Sequence, residues 1–515
     1  MASSQSKKLT RRDFIKLMGV AGGGLVLSAC APVSAPTPTP APSAIPLPTA
    51  TTAPTSTATP TSTPTATPTA TPTPIPTIQV GDLSVPDPRV TNPELFDLRN
   101  PDAPIPQFVN ALRMAGIEIT AEHVAQGITY EALEDKDGNP FIVAVYNPDP
   151  ALFPEEYRDL AGPIPLMIAE KGEEGWGWKY FSEVPLRKFA DPINVLIGTN
   201  DEALDKSLRN IVPTHFNLLY APWTYEWSTN QLSKESENII NTSKEKFAAA
   251  HGMEFIGGVI ISDYPSWLIN DLSNLNHAEV ENFLRQRVRE VMNTDKAGSI
   301  RYWIVTNEVG SSWNKDDPIV KKLGLYRFLE IVYDEAAKTN PNALLIFNDS
   351  VNHSPPNQRN GGYSELGKDV DLIKYLRNRG YNVAVGVQMH LNKNQWNPMP
   401  TVDDVKQALE IYKQNGIPVV ITEMDVSIYN IQDKNRFLLQ AYVYKNIIDV
   451  YLKSGAYNQQ PIISFWGLRD NESWLETWGE EKNPLADPLL FDDNGNPKLA
   501  YYALLKLLYE ANLKR

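Results

Sequence analysis

Four short apolar runs follow one another between residues 301 and 426: RYWIVTNE (301–308), ALLIFND (343–349), VAVGVQMH (383–390) and PVVITEMDV (418–426). Longer stretches such as LYRFLEIVYDEAAK (325–338) and DDVKQALEIYKQNG (403–416) separate them, with apolar residues spaced as on one face of a helix. Short β-rich runs that alternate with amphipathic helices predict parallel strands joined by helical crossovers.

The same alternation continues on both sides of this segment. Four further runs are NVLIG (194–198), HFNLLY (215–220), EFIGGVIIS (254–262) and PIISFWGL (461–468). Eight strands alternating with eight helices predict an α/β fold over residues 186–515, a (β/α)8 TIM barrel. A doubly wound open sheet is the structural alternative, but no Gly-rich phosphate motif follows its first strand.

Three segments precede the predicted barrel. Residues 1–30 carry the pair Arg11 and Arg12, a short apolar run and the sequence LSAC ending at Cys30. Residues 31–78 are dominated by Pro and Thr, which predicts a disordered tether. Residues 79–185 combine an amphipathic stretch with alternating runs around a DG turn, which predicts a small α+β accessory region with a hairpin.

The first segment resembles a bacterial twin-arginine export signal that ends in a lipobox. The resemblance implies that Cys30 is lipidated and that the protein is exported. We therefore predict a cell-surface or periplasmic lipoprotein, held at a bacterial membrane by the lipid anchor only. The alternative is that Cys30 is merely a small residue near an ordinary cleavage site.

The composition excludes several classes of function. The 515 residues include 61 Asp and Glu against 47 Lys and Arg, a net charge of -14, which disfavours nucleic acid as a partner. One cysteine excludes an intrachain disulfide framework and a thiolate metal cluster, and the six histidines show no metal-ligand spacing. We predict a monomer that needs no metal and no cofactor.

Several predicted strands end in polar residues, at the side of a parallel barrel where active sites lie. These residues are Asn307 and Glu308, Asn348 and Asp349, Gln388 and His390, and Glu423 and Asp425. Glu308 and Glu423 would lie on the fourth and seventh strands, and Trp466 and Trp474 follow on or after the eighth. Paired carboxyl groups in a tryptophan-lined cleft suit glycosidic bond cleavage, with one group as acid and the other as nucleophile about 5 Å away.

These motifs resemble glycoside hydrolase family 10, the endo-β-1,4-xylanases. The matching stretches are WIVTNEV (303–309), FND (347–349), GVQMHL (386–391), VVITEMDV (419–426), FWGLRDNESWL (465–475) and PLLFDDNGNPKLAYYAL (488–504). The resemblance implies that Glu308 is the general acid/base and Glu423 the nucleophile of a retaining double displacement.

The same resemblance implies roles for the neighbouring residues. Asn307 would hold the 2-hydroxyl of the sugar under attack, with Asn348 and Gln388 in the same substrate pocket. His390 would orient Glu423, and Asp425 would support His390. Trp466 and Trp474 would wall the sugar site. The expected substrate is xylan or a related plant polysaccharide.

The first half of the predicted barrel departs from the family pattern. After the FN of the second strand, members have Glu-Asn and then Lys, which grip the non-reducing sugars, whereas this chain reads FNLLYAPWTYEW (216–227). The third strand lacks the histidines of the family between Glu254 and Ser266. Candidates for replacement contacts are Trp223, Glu226, Trp227 and Asp263, each with surface or packing as the alternative.

Two interpretations therefore remain open from the sequence. The first is a retaining endo-glycosidase acting on xylan or, because its sugar contacts differ, on another β-linked glycan. The second is a tethered lipoprotein that binds polysaccharide with weak or no turnover. Both glutamates are present together with Asn307 and His390, which favours the enzyme.

Overall fold

The computed structural model describes residues 75–179, 184–200, 211–237, 239–296, 298–309, 316–356, 364–391, 399–429, 435–477, 483 and 485–515. The predicted signal with Cys30, and the predicted tether as far as residue 74, lie outside these residues. Residues from Pro76 to Arg515 form one compact unit. Within the described ranges, no helix has both the length and the apolar character needed to cross a bilayer.

The accessory region contains two small antiparallel sheets and three α-helices in its described part. The elements are β1 (Thr77–Val80), β2 (Leu83–Pro86), α1 (Pro88–Thr91), α2 (Pro104–Met114), α3 (Ala121–Gln126), β3 (Ile128–Glu134), β4 (Pro140–Tyr146), β5 (Ile164–Gly172) and β6 (Gly175–Lys179). Strand β1 pairs with β2, and the larger sheet has the order β3-β4-β5-β6. The hairpin predicted around the DG turn is β3–β4, where Gly138 supplies the positive φ of +80° that the turn requires.

Eight parallel strands in the described residues close into a barrel. They are β7 (Leu196–Asn200), β8 (Leu218–Tyr220), β9 (Glu254–Gly257), β10 (Tyr302–Asn307), β11 (Leu344–Asp349), β12 (Val383–Val387), β14 (Val419–Val426) and β15 (Ile462–Phe465), with the two-residue β13 (His390–Leu391) beside β14. Pairing of β15 with β7, and of β12 with β14, closes the ring. The predicted TIM barrel is therefore confirmed.

Helices surround these strands. Those described are α4 (Arg187–Ala190), α5 (Ile211–His215), α6 (Trp227–Asn230), α7 (Ser243–Ala250), α8 (Ser266–Asp271), α9 (His277–Met292), α10 (Pro318–Leu323), α11 (Leu325–Thr339), α12 (Leu366–Arg377), α13 (Val402–Gln414), α14 (Arg436–Ser454), α15 (Trp474–Thr477) and α16 (Leu499–Asn512). Short 3-10 turns lie at Pro93–Phe96, Pro150–Leu152, Glu155–Leu160, Asp191–Ile193 and Asp470–Glu472.

Alternating residues of the strands fill the barrel interior. Its buried cluster includes Leu218, Ile256, Ile304, Ile346 and Val420, and the outward-facing residues join a second, larger core under the helices. A strand buried on both faces reads as a continuous apolar run, because neither face meets water. This explains why the strands were visible in the sequence.

The third strand is shorter than its apolar run predicts. The run EFIGGVIIS extends to residue 262, but β9 ends at Gly257. Gly258 has φ +112°, and a Cβ atom there would lie 2.3 Å from the carbonyl oxygen of Ile304. The chain thus passes too close to β10 for a side chain, and hydrogen bonds to β10 resume at Ile260 and Ile261.

The accessory region packs on the last helix of the barrel. Helix α16 is buried along most of its length, and the rings of Phe108 and Tyr502 meet edge to face with centroids 4.9 Å apart. Lys445 Nζ lies 2.7 Å from Asp159 Oδ2, and the Tyr509 hydroxyl donates to Glu131. These contacts join the two parts, while the domain boundaries near residues 79 and 186 stay predictions.

Candidate active site

The polar strand ends come together at one mouth of the barrel. Asn307 ends β10 and Glu308 follows it; Asn348 lies near the end of β11, Gln388 just after β12, and Glu423 on β14. Backbone hydrogen bonds fix the heights of these residues along the barrel axis. Glu308 N donates to Asn348 O at 2.9 Å, and Glu423 N donates to Gln388 O at 3.1 Å. Parallel pairing through β11 and β12 therefore brings the two glutamates, on β14 and just after β10, to the same end of the barrel.

One hydrogen-bonded network joins both glutamates. Gln388 Nε2 donates to Glu308 Oε1 at 2.8 Å and to Asn307 Oδ1 at 3.2 Å. Asn348 Nδ2 donates to the same Asn307 oxygen at 2.7 Å and to Glu423 Oε1 at 2.8 Å. Glu308 is 9% exposed and Glu423 is 2% exposed, so both carboxyl groups line a sheltered site.

The second oxygen of Glu423 contacts a histidine. His390 Nε2 lies 3.1 Å from Glu423 Oε2, and His390 Nδ1 lies 2.8 Å from Asp425 Oδ2. Burial disfavours the imidazolium, but the charge and hydrogen bond of Asp425, with the hydrogen bond of Glu423, outweigh it and raise the pKa of His390 to about 10. His390 therefore carries a proton on each nitrogen and donates to both carboxylates.

The backbone at Glu308 adopts an uncommon conformation. Its φ is +53°, in the left-handed region that non-glycine residues rarely occupy. Met389, between Gln388 and His390, has φ +61°. Such conformations are concentrated where the surrounding structure fixes a functional side chain. Here they direct the side chains of Glu308 and His390 toward the same site.

Aromatic rings form one wall of the site. The ring of Trp466 lies 6.0 Å from that of His390, 5.8 Å from that of Tyr220 and 6.2 Å from that of Trp223. Trp474 lies 5.3 Å from the His390 ring, and its Nε1 donates to Asp425 Oδ2 at 2.9 Å. Indole faces beside a carboxylate network suit the stacking of sugar rings.

The residues predicted to replace the family's sugar contacts, in the first half of the barrel, differ in their surroundings. Trp223 is partly buried and joins the wall through Trp466. Glu226 precedes α6 and accepts a hydrogen bond from Ser228 Oγ at 2.9 Å, while Asp263 lies after β9 with φ +39°. Trp227 is buried and donates to Gln231 Oε1 at 2.6 Å, so packing accounts for Trp227.

Three residues that sequence reasoning missed belong to the site or its support. Thr422 Oγ1 donates to Asn348 Oδ1 at 2.7 Å, and the ring of Tyr220 flanks Trp466. Asp369 projects from α12 and accepts from Asn352 Nδ2 at 2.9 Å. Thr422 and Tyr220 lie at the ends of apolar runs, and this position could have identified them from the sequence. No sequence pattern marks Asp369, because it lies on a helix.

Asp349 and Asp369 form a buried acidic pair beside the site. Both are fully buried, and burial raises the pKa of Asp369 to about 8. Burial, followed by the negative charges of Asp369 and Glu308, raises the pKa of Asp349 well above its ordinary value. At least one of these carboxyl groups is therefore neutral at pH 7.

The described residues contain no group of three or more His, Cys, Asp and Glu side chains placed to hold a metal ion. The side chains gathered at this mouth of the barrel are carboxyl groups, an imidazolium, amides and indoles. These are the side-chain types that acid catalysis, nucleophilic attack and the stacking of a sugar chain require.

Comparison with known proteins gives a consistent result. Residues 187–507 match the model of glycosyl hydrolase family 10. An endo-1,4-beta-xylanase of Geobacillus stearothermophilus is 28% identical over 338 residues, covering 62% of this chain and 97% of the relative. Endo-1,4-beta-xylanase B of Thermotoga neapolitana is 27% identical over 344 residues, covering 64% of this chain and 92% of the relative.

A solved structure agrees with the fold. Native xylanase 10B from Thermotoga maritima superposes with a TM-score of 0.56 and 26% identity, covering 64% of this chain and all of that one. The family match takes in every barrel strand and all the residues of the network above. The chain therefore belongs to glycosyl hydrolase family 10 and is a glycoside hydrolase.

Proposed function

We propose that this protein is a retaining endo-glycosidase that cleaves internal β-1,4 linkages of xylan or a related plant polysaccharide. The relatives above, named endo-1,4-beta-xylanases, support the substrate class. The observation that carries the mechanism is that Asn348 and His390 each hold one oxygen of Glu423, at 2.8 and 3.1 Å. A carboxylate held at both oxygens keeps one orientation, as an attacking nucleophile requires.

The first half of the reaction forms a bond between the enzyme and the sugar. Glu423 attacks the anomeric carbon, the glycosidic C–O bond breaks, and its electron pair leaves with the departing oxygen. Glu308 gives that oxygen its proton. The product is a glycosyl ester of Glu423, with the leaving chain released as an alcohol.

The second half restores the enzyme. Glu308, now a carboxylate, takes a proton from water while the water oxygen attacks the anomeric carbon. The ester bond breaks and its electron pair returns to Glu423. Two inversions at one carbon give net retention of the β configuration.

Asn307 is arranged to bind the sugar. Its Oδ1 accepts from Gln388 Nε2 and Asn348 Nδ2, so its Nδ2 points away from these two donors. That amide group is then available to donate to a sugar hydroxyl next to the reacting carbon, which supports the predicted contact with the 2-hydroxyl. Hydrogen bonds of this kind strengthen in the transition state.

The sugar preference depends on the first half of the barrel, where the sequence departs from the family pattern. Trp223 brings an indole to the wall where family members have polar side chains, and apolar stacking is less selective for hydroxyl patterns than hydrogen bonding. We therefore place xylan first and other β-linked glycans second. The interpretation as a binding protein without turnover is not favoured, because the network keeps an acid and a nucleophile together.

The location remains part of the proposal. Export and anchoring through Cys30 are supported by the sequence motifs alone, and we propose action as a monomer beside them. A tethered glycosidase of this kind would act on polysaccharide close to the bacterial surface.

The test measures reducing ends released from xylan and from a panel of β-glucans by the wild type and by Glu423→Ala. We expect wild-type release to be highest on xylan and the variant to be inactive. Rapid loss of viscosity relative to reducing ends would show internal cleavage, and proton NMR of the first product would show the β anomer. Equal, negligible activity of both proteins would favour the binding interpretation, and an α product would exclude retention.

A further inference from the structure

A buried ion pair lies just beyond the site and has no part in the mechanism above. Asp470 follows β15, and Lys498 directly precedes α16. Lys498 Nζ lies 2.9 and 2.8 Å from the two carboxylate oxygens of Asp470, and both side chains are at most 2% exposed. A charge pair so completely removed from water needs an explanation, because its desolvation cost offsets much of its attraction.

The pair joins three separate segments. Asp470 Oδ1 accepts from Leu489 N at 2.7 Å, and Asp470 N donates to Phe491 O at 3.1 Å. Lys498 Nζ donates to Asp487 O at 2.8 Å. The loop after β15, the segment 486–491 and the start of α16 therefore meet at one point.

Two of these segments lead directly to the active site. The loop after β15 carries Trp474, whose Nε1 donates to Asp425 Oδ2 at 2.9 Å, the same oxygen that faces His390 Nδ1. The segment 486–491 contacts the end of β14, where Val426 N donates to Pro488 O at 3.0 Å. The ion pair thus lies between the loop of Trp474 and the strand that bears Glu423.

We propose that Asp470 and Lys498 are positioning residues, which hold Trp474 against Asp425 and thereby set both the sugar-stacking wall and the orientation of His390 toward Glu423. The proposal rests on the glycosidase function above. Stability alone does not account for the pair, because well-packed apolar residues often replace a buried ion pair at little cost. A fixed arrangement of three segments does account for it.

The test is a double-mutant cycle between the ion pair and Trp474. Asp470→Leu/Lys498→Met removes both charges at similar volume, and Trp474→Phe removes the indole N–H while it keeps a ring. We expect the ion-pair variant to fold and to lose about 10- to 100-fold in kcat/KM on xylo-oligosaccharides, the cost of a misplacement of about 1 Å. Trp474→Phe should lower kcat/KM in the wild-type background but have little further effect in the ion-pair variant.

Lys506→Met is the matched control. Lys506 is another buried lysine of α16, but its partner is Glu510 at 2.8 Å, away from the site. This variant should keep the wild-type kcat/KM, and Trp474→Phe should have its full effect in it. If Asp470→Leu/Lys498→Met does not fold, Asp470→Asn, which keeps an acceptor for Leu489 N, takes its place in the cycle.

Two results would overturn the proposal: a folded ion-pair variant with wild-type kcat/KM, or additive effects of the ion-pair and Trp474 substitutions. Failure of the proposed function looks different, because the wild type itself would then release no reducing ends from any glycan tested. If the wild type is active and the effects of the substitutions are additive, the proposed glycosidase function is retained and only the positioning role is rejected.

Discussion

Asn348 Nδ2 donates a hydrogen bond of 2.8 Å to Glu423 Oε1. The direction of this amide is determined by its oxygen, Oδ1, which accepts from Thr422 Oγ1 at 2.7 Å. Because the same Nδ2 also reaches Asn307 at 2.7 Å, the position of Glu423 is tied to the strand that precedes Glu308. The two glutamates are therefore placed relative to each other by side chains as well as by the barrel.

Asn348→Asp should remove the hydrogen bond from residue 348 to Glu423 without changing the volume of the side chain. A second carboxyl group at hydrogen-bond distance from Glu423 would compete for ionisation, since two close carboxyl groups cannot both ionise easily. We expect kcat to fall by roughly 100-fold or more, as for loss of a group that acts in the transition state. The acidic limb of the kcat/KM profile should move to higher pH.

Steady-state rates on xylo-oligosaccharides between pH 4 and 9 measure both effects. Asn348→Ala serves as the comparison, because it removes the donor without adding a charge. It should lower kcat and move the acidic limb to higher pH by less than Asn348→Asp does, because a lost donor disfavours the carboxylate less than an added negative charge. Identical profiles for the Asp and Ala variants would contradict the electrostatic explanation.

His390 should make the stability of the protein depend on pH. Its pKa is raised to about 10 in the folded protein, chiefly by Asp425 acting against burial, from the ordinary value of 6.5. The stabilisation is complete below pH 6.5 and is lost as pH rises through about 10. Relative to His390→Gln, the free energy of unfolding of the wild type should fall across this window by at most about 1.4 kcal/mol per pH unit.

Urea unfolding at pH 6, 8 and 10 checks this prediction. The difference between wild type and His390→Gln should be largest at pH 6 and smallest at pH 10. A constant difference across the series would show that His390 does not gain its proton on folding.

The barrel and the position of the two glutamates at its mouth were predictable because each depends on a local pattern. Strands buried on both faces give unbroken apolar runs, and a polar residue at the end of such a run stands out, as Glu308 and Glu423 do. The end of β9 was not predictable, because it depends on the approach of Gly258 to the carbonyl of Ile304, far along the chain. Asp369 was missed for a similar reason: periodicity places a helix but not the side chain it turns toward the barrel.

Trp223→Ala should affect substrate binding more than chemistry. The indole lies at the wall beside Trp466, so its loss removes stacking area. A lost aromatic stacking contact typically costs roughly 1 kcal/mol of binding free energy. We therefore expect KM to rise by about 5- to 10-fold and kcat to change little. Kinetics on xylohexaose and on a β-glucan oligosaccharide would show whether Trp223 also sets the sugar preference.

Trp227→Phe is the matched control for Trp223→Ala. Trp227 is buried and bonded to Gln231, so its substitution should lower the free energy of unfolding by about 1–2 kcal/mol while KM stays at the wild-type value. A raised KM in Trp227→Phe, or an unchanged KM in Trp223→Ala, would reverse the assignment of the two residues.

Asp369→Asn should stabilise the protein, and increasingly so at higher pH. Burial raises the pKa of Asp369 from 3.8 to about 8, so between these values the folded protein keeps a proton that the unfolded chain has released. The wild type therefore loses stability as pH rises through this window, whereas an asparagine does not titrate. The advantage of the variant should grow by at most about 1.4 kcal/mol per pH unit.

Urea unfolding of both proteins at pH 4.5 and pH 8 measures this change. The control is Asp371→Asn, an exposed carboxylate on the same helix, which should have the same small effect at both pH values. The groups that act on Asp369 are Asn352, Glu365 and Lys368, together with Asp349 of the acidic pair, and all of them remain in the variant. If Asp369→Asn destabilised the protein equally at both pH values, the carboxyl group would be ionised and needed in that state. The buried pair with Asp349 would then be a charged element of the site and not a neutral one.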